Sequence, residues 1–247
     1  MTLRFTAAYH TSPGLRAQNE DVVGMVAPDE PELSTKGMLA AVADGVSGSD
    51  GGREAAESIV SDLLEDYYGL PAARDVGQAL KNTIQTINRR LNKRGAARSP
   101  RGGMATTLTA LVLHENFYHF SHVGDSRLYR LRDEELTQLT VDHVLDNTKH
   151  KHVLTRAVGL DLQLAIDQGM GPLAVGDIFL LATDGVWSFL PEHELSWHLS
   201  ELIGDKRSAE GTAKLLVDAA LAAGSKDNLS ALVVRIDRLP AEEPSPT

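Results

Sequence analysis

The feature that most constrains this chain is an apolar run, residues 38–43, that stops abruptly at Asp44-Gly45. Such a run predicts a buried strand that presents one carboxylate at its end, where the glycine lets the backbone turn away. The pattern recurs, with an aspartate at the edge of three other strand-like segments: Asp125 after residues 120–124, Asp184 after residues 177–183, and Asp227 before residues 229–234. We therefore expect four aspartates at strand edges, although they are far apart in the sequence.

These four aspartates indicate a metal site if they converge in the fold. Several carboxylates lying close together cannot all ionise unless a positive charge lies between them. Mg²⁺ and Mn²⁺ prefer oxygen ligands, and a strand end is rigid enough to hold such a ligand in place. The alternative is that each Asp-Gly pair only marks a tight turn. The recurrence of one context at four places favours the metal site.

Length and composition favour one domain. The chain has 247 residues and 42% hydrophobic content, enough for one large core. No internal linker is evident, so we expect a single domain over residues 1–239. Residues 240–247 are rich in proline and glutamate and predict a disordered tail.

Charge and cysteine content exclude several classes of protein. The formal net charge of −10 argues against a general nucleic-acid binder or a binder of anionic membranes. The sequence has no cysteine, which excludes disulfides, cysteine zinc sites and every cysteine-nucleophile mechanism. No apolar run approaches the roughly 20 residues needed to span a bilayer, and the N-terminus lacks the apolar core of a signal peptide. We therefore expect a protein of the cytoplasm that does not bind membranes. As a separate expectation, the protein is a monomer.

Predicted strands and helices come in blocks rather than in strict alternation. Amphipathic helices are predicted before Gly69 and over residues 76–91, 192–203 and 209–222. Strands are predicted over residues 3–9, 22–26, 38–44, 106–113, 117–123, 128–131, 178–182 and 230–236. The block order predicts an α+β fold with antiparallel sheets and helices packed outside them.

Several polar segments leave two interpretations open. Arg16 is either a solvated charge or a guanidinium fork for a phosphate, and Glu20 and Asp21 are either loop charges or supports of the metal site. Residues 95–103 are a basic, glycine-rich loop that either is solvated or attracts a phosphorylated partner. Residues 140–159 predict an irregular surface segment, whose histidines 143, 150 and 152 are either solvated or a ligand set.

Taken in chain order, the motifs resemble the metal-dependent protein phosphatases, the type 2C serine/threonine phosphatases, in their compact bacterial form. The similarity extends over residues 5–236. It is carried by Arg16-x-x-Asn19-Glu20-Asp21, Ala43-Asp44-Gly45, Gly103-x-Ala105-Thr106-Thr107, Val123-Gly124-Asp125-Ser126-Arg127, Thr140-x-Asp142-His143, Leu154-Thr155-Arg156-Ala157-Val158-Gly159, Ala182-Thr183-Asp184-Gly185-Val186-Trp187 and Asp227-Asn228. Each motif is modest alone, but eight in the right order are specific.

The resemblance implies a fold and a set of roles. The fold would be a four-layer α/β/β/α sandwich of two central antiparallel sheets flanked by helix pairs. Two Mn²⁺ or Mg²⁺ ions would be held by Asp44, the Gly45 carbonyl, Asp184 and Asp227. Some members bind a third ion, which Asp125 would contact here. Glu20 would hold metal-bound water, and Asp21 and Asn228 would support the site. Arg16 would bind the substrate phosphate, and residues 140–154 would form a flap beside the site.

The implied reaction is hydrolysis of phosphoserine and phosphothreonine monoesters in proteins, with a kinase or its targets as partners. A water or hydroxide bridging the two ions would attack phosphorus in line, while Arg16 neutralises charge on the phosphoryl oxygens. One departure concerns the leaving group. Many relatives have a histidine just after the Asp-Gly pair, whereas this chain has Val46; Asp50 or a metal-bound water are the remaining candidates for the acid.

Two competing functions remain at this level. The altered loop after Gly45 is compatible with a non-catalytic module of the same fold that binds phosphoproteins. The metal site alone is also compatible with a hydrolase of small phosphoesters. Retention of all four aspartates and Arg16 favours the protein phosphatase, because a module that only binds would not need them.

Overall fold

The strands form two antiparallel sheets. The structure is a computed structural model, which describes residues 2–46, 51–71, 75–98, 103–145 and 153–240. The first sheet has the order β1-β10-β9-β6-β7: Arg4–Ser12, Leu229–Arg238, Ile178–Ala182, Arg127–Arg132 and Glu135–Gln138. The second has the order β2-β3-β4-β5-β8: Asp21–Val26, Met38–Asp44, Leu108–His114, Phe117–Val123 and Asp167–Pro172. Every strand pair in both sheets is antiparallel.

Helices cover the outer face of each sheet. The described helices are α1 Glu32–Lys36, α2 Gly52–Gly69, α3 Val76–Arg98, α4 Asp184–Trp187, α5 Glu192–Ser200 and α6 Ala209–Ala222, with a 3₁₀ turn at Ile203–Asp205. The apolar faces of α2 and α3 share one core with the second sheet, and those of α5 and α6 share another with the first. A third core lies between the sheets. The predicted four-layer α/β/β/α sandwich is confirmed.

Strand β3 shows why the central strands are apolar on both faces. Leu39, Ala41 and Ala43 pack into the core under α2 and α3. The alternate residues Met38, Ala40 and Val42 pack into the core between the sheets. Because successive side chains of a strand point to opposite faces, a strand between two buried layers needs apolar residues throughout. The apolar run therefore ends where the sandwich ends, and Asp44 is the last residue of strand β3.

The short elements were missing from the sequence-based prediction. Strand β8 contains Gly169 and Gly171, a composition that disfavours strands. A Cβ on Gly169 would lie 2.3 Å from the ring of Phe120 on the paired strand β5, and one on Gly171 would lie 2.6 Å from the hydroxyl of Tyr118. The glycines thus make room for aromatic rings across the pair. Helix α1 and strand β7, with 5 and 4 residues, are too short to show a periodicity.

Two predicted boundaries and one predicted exposure were wrong. Helix α3 continues to Arg98, so the first part of the predicted loop at residues 95–103 is helical. Helix α5 ends at Ser200 rather than at residue 203. His143 is buried, at 6% exposure, and is not a solvated surface residue.

Some expectations fall on the remaining residues. Asp50, His150, His152 and residues 241–247 of the expected tail lie outside the described residues. The single domain over residues 1–239 stays a prediction. None of the described helices has the length and apolar character needed to cross a membrane.

Candidate metal centre

The four aspartates singled out in the sequence come together at one cavity. Its volume is about 800 Å³, and Asp44, Asp125, Asp184 and Asp227 all line it. Arg16 and Gly45 line it as well. Strands β3, β5 and β9 end at this side of the sandwich and strand β10 begins there, so aspartates distant in sequence become neighbours.

Asp44 is fixed by its backbone on both sides. Its N–H donates to the hydroxyl of Thr107 at 2.9 Å, and its carbonyl accepts from the N–H of Thr107 and the hydroxyl of Thr106, both at 2.8 Å. The N–H of Gly45 donates to the carbonyl of Glu20 at 3.2 Å. The two threonines of the Gly-x-Ala-Thr-Thr motif therefore hold the end of β3 in place, which leaves the carboxylate of Asp44 directed by a rigid backbone.

Asp184 and Asp227 are held by close contact between their two loops. Asp184 opens helix α4 directly after β9, and a Cβ on the next residue, Gly185, would lie 1.9 Å from the carbonyl oxygen of Asn228. Only glycine permits this approach. The guanidinium of Arg16 donates to the carboxylate of Asp227 at 2.9 Å.

Asn228 connects the Arg16 loop to the Asp227 loop. Its side-chain oxygen accepts from the N–H of Glu20 at 2.8 Å, and its amide donates to the carbonyls of Pro13 and Gln18 at 3.0 and 2.8 Å. The residue predicted as support thus satisfies three backbone groups of the loop that carries Arg16. The side chain of Glu20 is not among the residues that line the cavity.

Asp21 lies beneath the cavity rather than in its wall. It is buried, it pairs with Asp44 in the β2–β3 register, and its carboxylate accepts a hydrogen bond from the hydroxyl of Thr183 at 2.8 Å. Burial, together with Asp184 and Asp227, raises the pKa of Asp21 to about 7, against the effect of its hydroxyl hydrogen bonds. Asp21 therefore lies next to the carboxylates of the cavity, and their charges help it to retain its proton up to about neutral pH.

Asp125 occupies the tight turn between β5 and β6. Three motif residues to which the sequence analysis assigned no role hold this turn in place. The indole N–H of Trp187 donates to the carbonyl of Asp125 at 3.0 Å. The Arg127 guanidinium stacks on the Trp187 ring, 3.4 Å from its centre, and donates to both carboxylate oxygens of Asp142. Burial and then Asp184 and Asp142 raise the pKa of Asp125 to about 7.

The charge distribution of the site fits divalent cations. Burial, followed by the charges of Asp21, Asp184, Asp125 and Asp227, raises the pKa of Asp44 well above its ordinary value. The carboxylates repel one another, and a cation between them would relieve this repulsion. Among the described residues no three His, Asp or Glu side chains close on a single ion. The arrangement suits a hard ion such as Mg²⁺ or Mn²⁺, which binds one or two carboxylates and completes its shell with water and carbonyl oxygens.

The fold and the site together define the class of protein, a two-sheet sandwich with a cluster of carboxylates suited to divalent ions. The family model described as "Protein phosphatase 2C" matches residues 19–223. This chain therefore belongs to the protein phosphatase 2C family. The predictions of family, fold, metal-dependent serine/threonine phosphatase function and Mn²⁺ or Mg²⁺ cofactor are confirmed at the level of the family.

Individual relatives agree with this assignment. The chain is 30% identical to the serine/threonine phosphatase stp of Listeria innocua serovar 6a, over 92% of this chain and 94% of that protein. The solved structure of PppA, described as a key regulatory component of T6SS in Pseudomonas aeruginosa, is similar with a TM-score of 0.80 and 30% identity, over 94% of this chain and 97% of the other. The catalytic domain of PstP, solved in complex with two manganese ions, has a TM-score of 0.80 and 27% identity, over 96% and 100% of the two chains.

Proposed function

We propose that this phosphatase hydrolyses phosphoserine and phosphothreonine monoesters in proteins with divalent ions held by Asp44, Asp184, Asp227, Asp125 and the Gly45 carbonyl. The observation that carries the proposal is the convergence of four aspartates and one arginine on a single cavity. Mn²⁺ is the preferred probe, because the related PstP domain was solved with two manganese ions.

The protein's own residues place four carboxylates and the guanidinium of Arg16 around the cavity. Bound ions would supply Lewis acidity and would lower the pKa of a coordinated water, so that hydroxide is available near neutral pH. The Arg16 guanidinium is 48% exposed and uses one nitrogen for Asp227, which leaves other donors for phosphoryl oxygens. A planar fork suits this task because it can bind two oxygens of a phosphate at once.

The acid that protonates the leaving alkoxide is a different group here from the histidine of many relatives. Val46 lines the cavity where those relatives carry a histidine, and its side chain has no proton to give. No histidine is among the described residues that line the cavity. We infer that a water of the cavity protonates the alkoxide; Asp50, the other candidate, lies outside the described residues.

The test is hydrolysis of a phosphothreonine peptide and of p-nitrophenyl phosphate with and without Mn²⁺. We expect the Asp44→Ala and Asp184→Asn variants to lose turnover of both substrates by at least about 10³-fold. Asp218→Asn removes an exposed carboxylate of α6 that is paired with Lys214, and serves as the matched control. Wild-type activity in either site variant with Mn²⁺ present, or equal activity in EDTA, would refute the assignment.

The wider setting is also a proposal. We infer that the chain acts in the cytoplasm as a monomer on proteins phosphorylated by a serine/threonine kinase. The support is the lack of cysteine, the net charge of −10 and the similarity to bacterial serine/threonine phosphatases. Sedimentation of the purified chain tests the monomer. Comparison of the phosphoproteins in cells with and without the Asp44→Ala variant tests the substrates.

A further inference from the structure

We propose that the apolar part of the same cavity is a side-chain subsite, which selects phosphoproteins with a bulky apolar residue beside the phosphorylated one. This inference rests on the proposed function. It adds a substrate class to it, because nothing in the phosphate chemistry itself requires an apolar neighbour.

The cavity has a second set of lining residues with no role in metal or phosphate binding. They are apolar: Val46, Val153, Leu154, Ala157, Leu160 and Phe189. Three of them are large and remain accessible, with exposures of 45% for Val153, 50% for Leu160 and 38% for Phe189. Large apolar side chains that line a concave surface next to polar groups are typical of a ligand pocket.

The segment that supplies most of this lining is fixed to the metal centre. Thr106 forms isolated bridges both to Gly45 and to Val158, and exchanges two backbone hydrogen bonds with Val158 at 2.8 and 3.1 Å. The segment around Val158 is therefore tied through Thr106 to Asp44-Gly45. A substrate anchored by its phosphate at the carboxylates and Arg16 would meet this segment in a defined register.

Helix α3 holds Leu160 from the other side. The side-chain oxygen of Asn88 accepts from the N–H of Gly159 at 2.7 Å, and the amide of Asn92 donates to the carbonyls of Gly159 and Leu160 at 3.1 and 3.0 Å. These bonds fix the backbone that carries the exposed leucine. A surface ordered before binding loses little conformational freedom when a ligand arrives, which favours a binding role.

The size of the cavity and the reach of a peptide identify the occupant. A volume of about 800 Å³ exceeds what one phosphorylated threonine side chain fills. Neighbouring residues of an extended peptide are only about 3.5 Å apart along the chain, so residues flanking the phosphoresidue enter the same cavity. The apolar lining residues favour a leucine, isoleucine or phenylalanine beside the phosphoresidue.

Leu162 provides a matched control on the same stretch of chain. It is 57% exposed, comparable to Leu160, but does not line the cavity. Replacing either leucine by serine removes the same apolar surface from the molecule. Only the change at Leu160 alters the proposed subsite.

The experiment measures kcat/KM with Mn²⁺ for phosphothreonine peptides. The peptides carry leucine, alanine or aspartate either directly before or directly after the phosphoresidue. We expect wild type to prefer leucine over alanine by about 10-fold at one position or more. Leu160→Ser and Phe189→Ser should reduce this ratio to near 1, and Leu162→Ser should leave it as in wild type. This ratio of the kcat/KM values for the leucine and alanine peptides is independent of overall activity. Thermal unfolding checks that each variant is folded.

The outcomes separate this proposal from the proposed function. If wild type hydrolyses all peptides with equal kcat/KM, the subsite is refuted while the phosphatase assignment stands, and the apolar surface then has another occupant, such as residues of this chain. An equal loss of preference in Leu162→Ser would also refute it, because the effect would not come from the cavity. If no peptide and no p-nitrophenyl phosphate is hydrolysed, the proposed function fails and the subsite with it.

Discussion

His143 and Gly124 form two hydrogen bonds with each other. The ring Nδ1 of His143 accepts from the N–H of Gly124 at 3.0 Å, and the backbone N–H of His143 donates to the carbonyl of Gly124 at 2.7 Å. Gly124 directly precedes Asp125 and has a positive φ of 107°, so His143 holds the glycine turn that presents Asp125 to the cavity. Because Nδ1 accepts a hydrogen bond here, the neutral ring carries its hydrogen on Nε2, which faces the carboxylate of Asp167 at 3.1 Å.

The first prediction concerns this clamp. Replacing His143 by alanine leaves the buried N–H of Gly124 without its acceptor, which should lower the free energy of unfolding by about 1–3 kcal/mol. The turn at Asp125 should also loosen, and we expect weaker Mn²⁺ binding, measured by calorimetry, together with a higher Mn²⁺ concentration for half-maximal activity. His143→Asn places an oxygen near the position of Nδ1 and should restore Mn²⁺ binding in large part.

The control for His143 is His193, which is exposed at the start of α5. His193→Ala should match wild type in unfolding and in Mn²⁺ titration. If His143→Ala binds Mn²⁺ as wild type does while losing stability, the histidine stabilises the fold without positioning Asp125.

The case of His143 shows where reasoning from the sequence stopped. Its segment has no periodicity because it is held by single side chains rather than by a regular element, and its polar composition resembles that of a solvated loop. The burial of His143 depends on Gly124 and Asp167, which are 19 and 24 residues away. Contacts of this kind leave no pattern in a local window of sequence.

The aspartates were predictable for the opposite reason. Asp44 ends β3 and Asp184 follows β9 after one residue. Both strands are apolar and buried on both faces, so the strand and its end are visible in the local sequence. That they converge follows from the antiparallel order of the sheets, which the block pattern and the family motifs indicated. The roles of the individual ligands stay predictions.

The second prediction follows from the raised pKa values in the protein without metal. Asp21 and Asp125 have pKa values of about 7 in the folded chain, against about 4 in an unfolded one. Between these values the folded chain binds more protons than the unfolded chain, so its stability falls as pH rises from about 4 to about 7. Urea unfolding in EDTA across this range should show the decrease.

Asp125→Asn removes one of these carboxylates without changing the size of the side chain. We expect the metal-free variant to be more stable than wild type at pH 8, by at least about 1 kcal/mol, and similar to it at pH 4. Asp218→Asn, on the surface, should follow the wild-type curve throughout. A stability that rises between pH 4 and pH 7 in EDTA would contradict the idea that repulsion between the carboxylates strains the empty site.

The third prediction separates the charge of Arg16 from its shape. Arg16→Lys keeps a cation but loses the planar fork, so kcat/KM for a phosphothreonine peptide should fall by about 10-fold or more. The pair with Asp227 is partly exposed, and the free energy of unfolding should change by less than about 0.5 kcal/mol. Arg53→Lys, in an equally exposed pair with Glu57, is the control and should leave kcat/KM unchanged. Equal activity of Arg16→Lys and wild type would show that the fork does not bind the phosphate.

The fourth prediction tests the contact between the loops of Asp184 and Asp227. A Cβ on Gly185 would meet the carbonyl oxygen of Asn228 at 1.9 Å, so the Gly185→Ala variant must separate α4 from the Asp227-Asn228 loop. The free energy of unfolding should fall by about 1–3 kcal/mol, and kcat/KM by about 100-fold, because misplacement by about 1 Å is enough to disrupt a reacting geometry. Gly69→Ala, at the end of α2, should change neither quantity appreciably, because no atom of the described residues lies within 4 Å of the added Cβ. A Gly185→Ala variant with wild-type Mn²⁺ binding and turnover would mean that Asp184 and Asp227 need not be held together for catalysis.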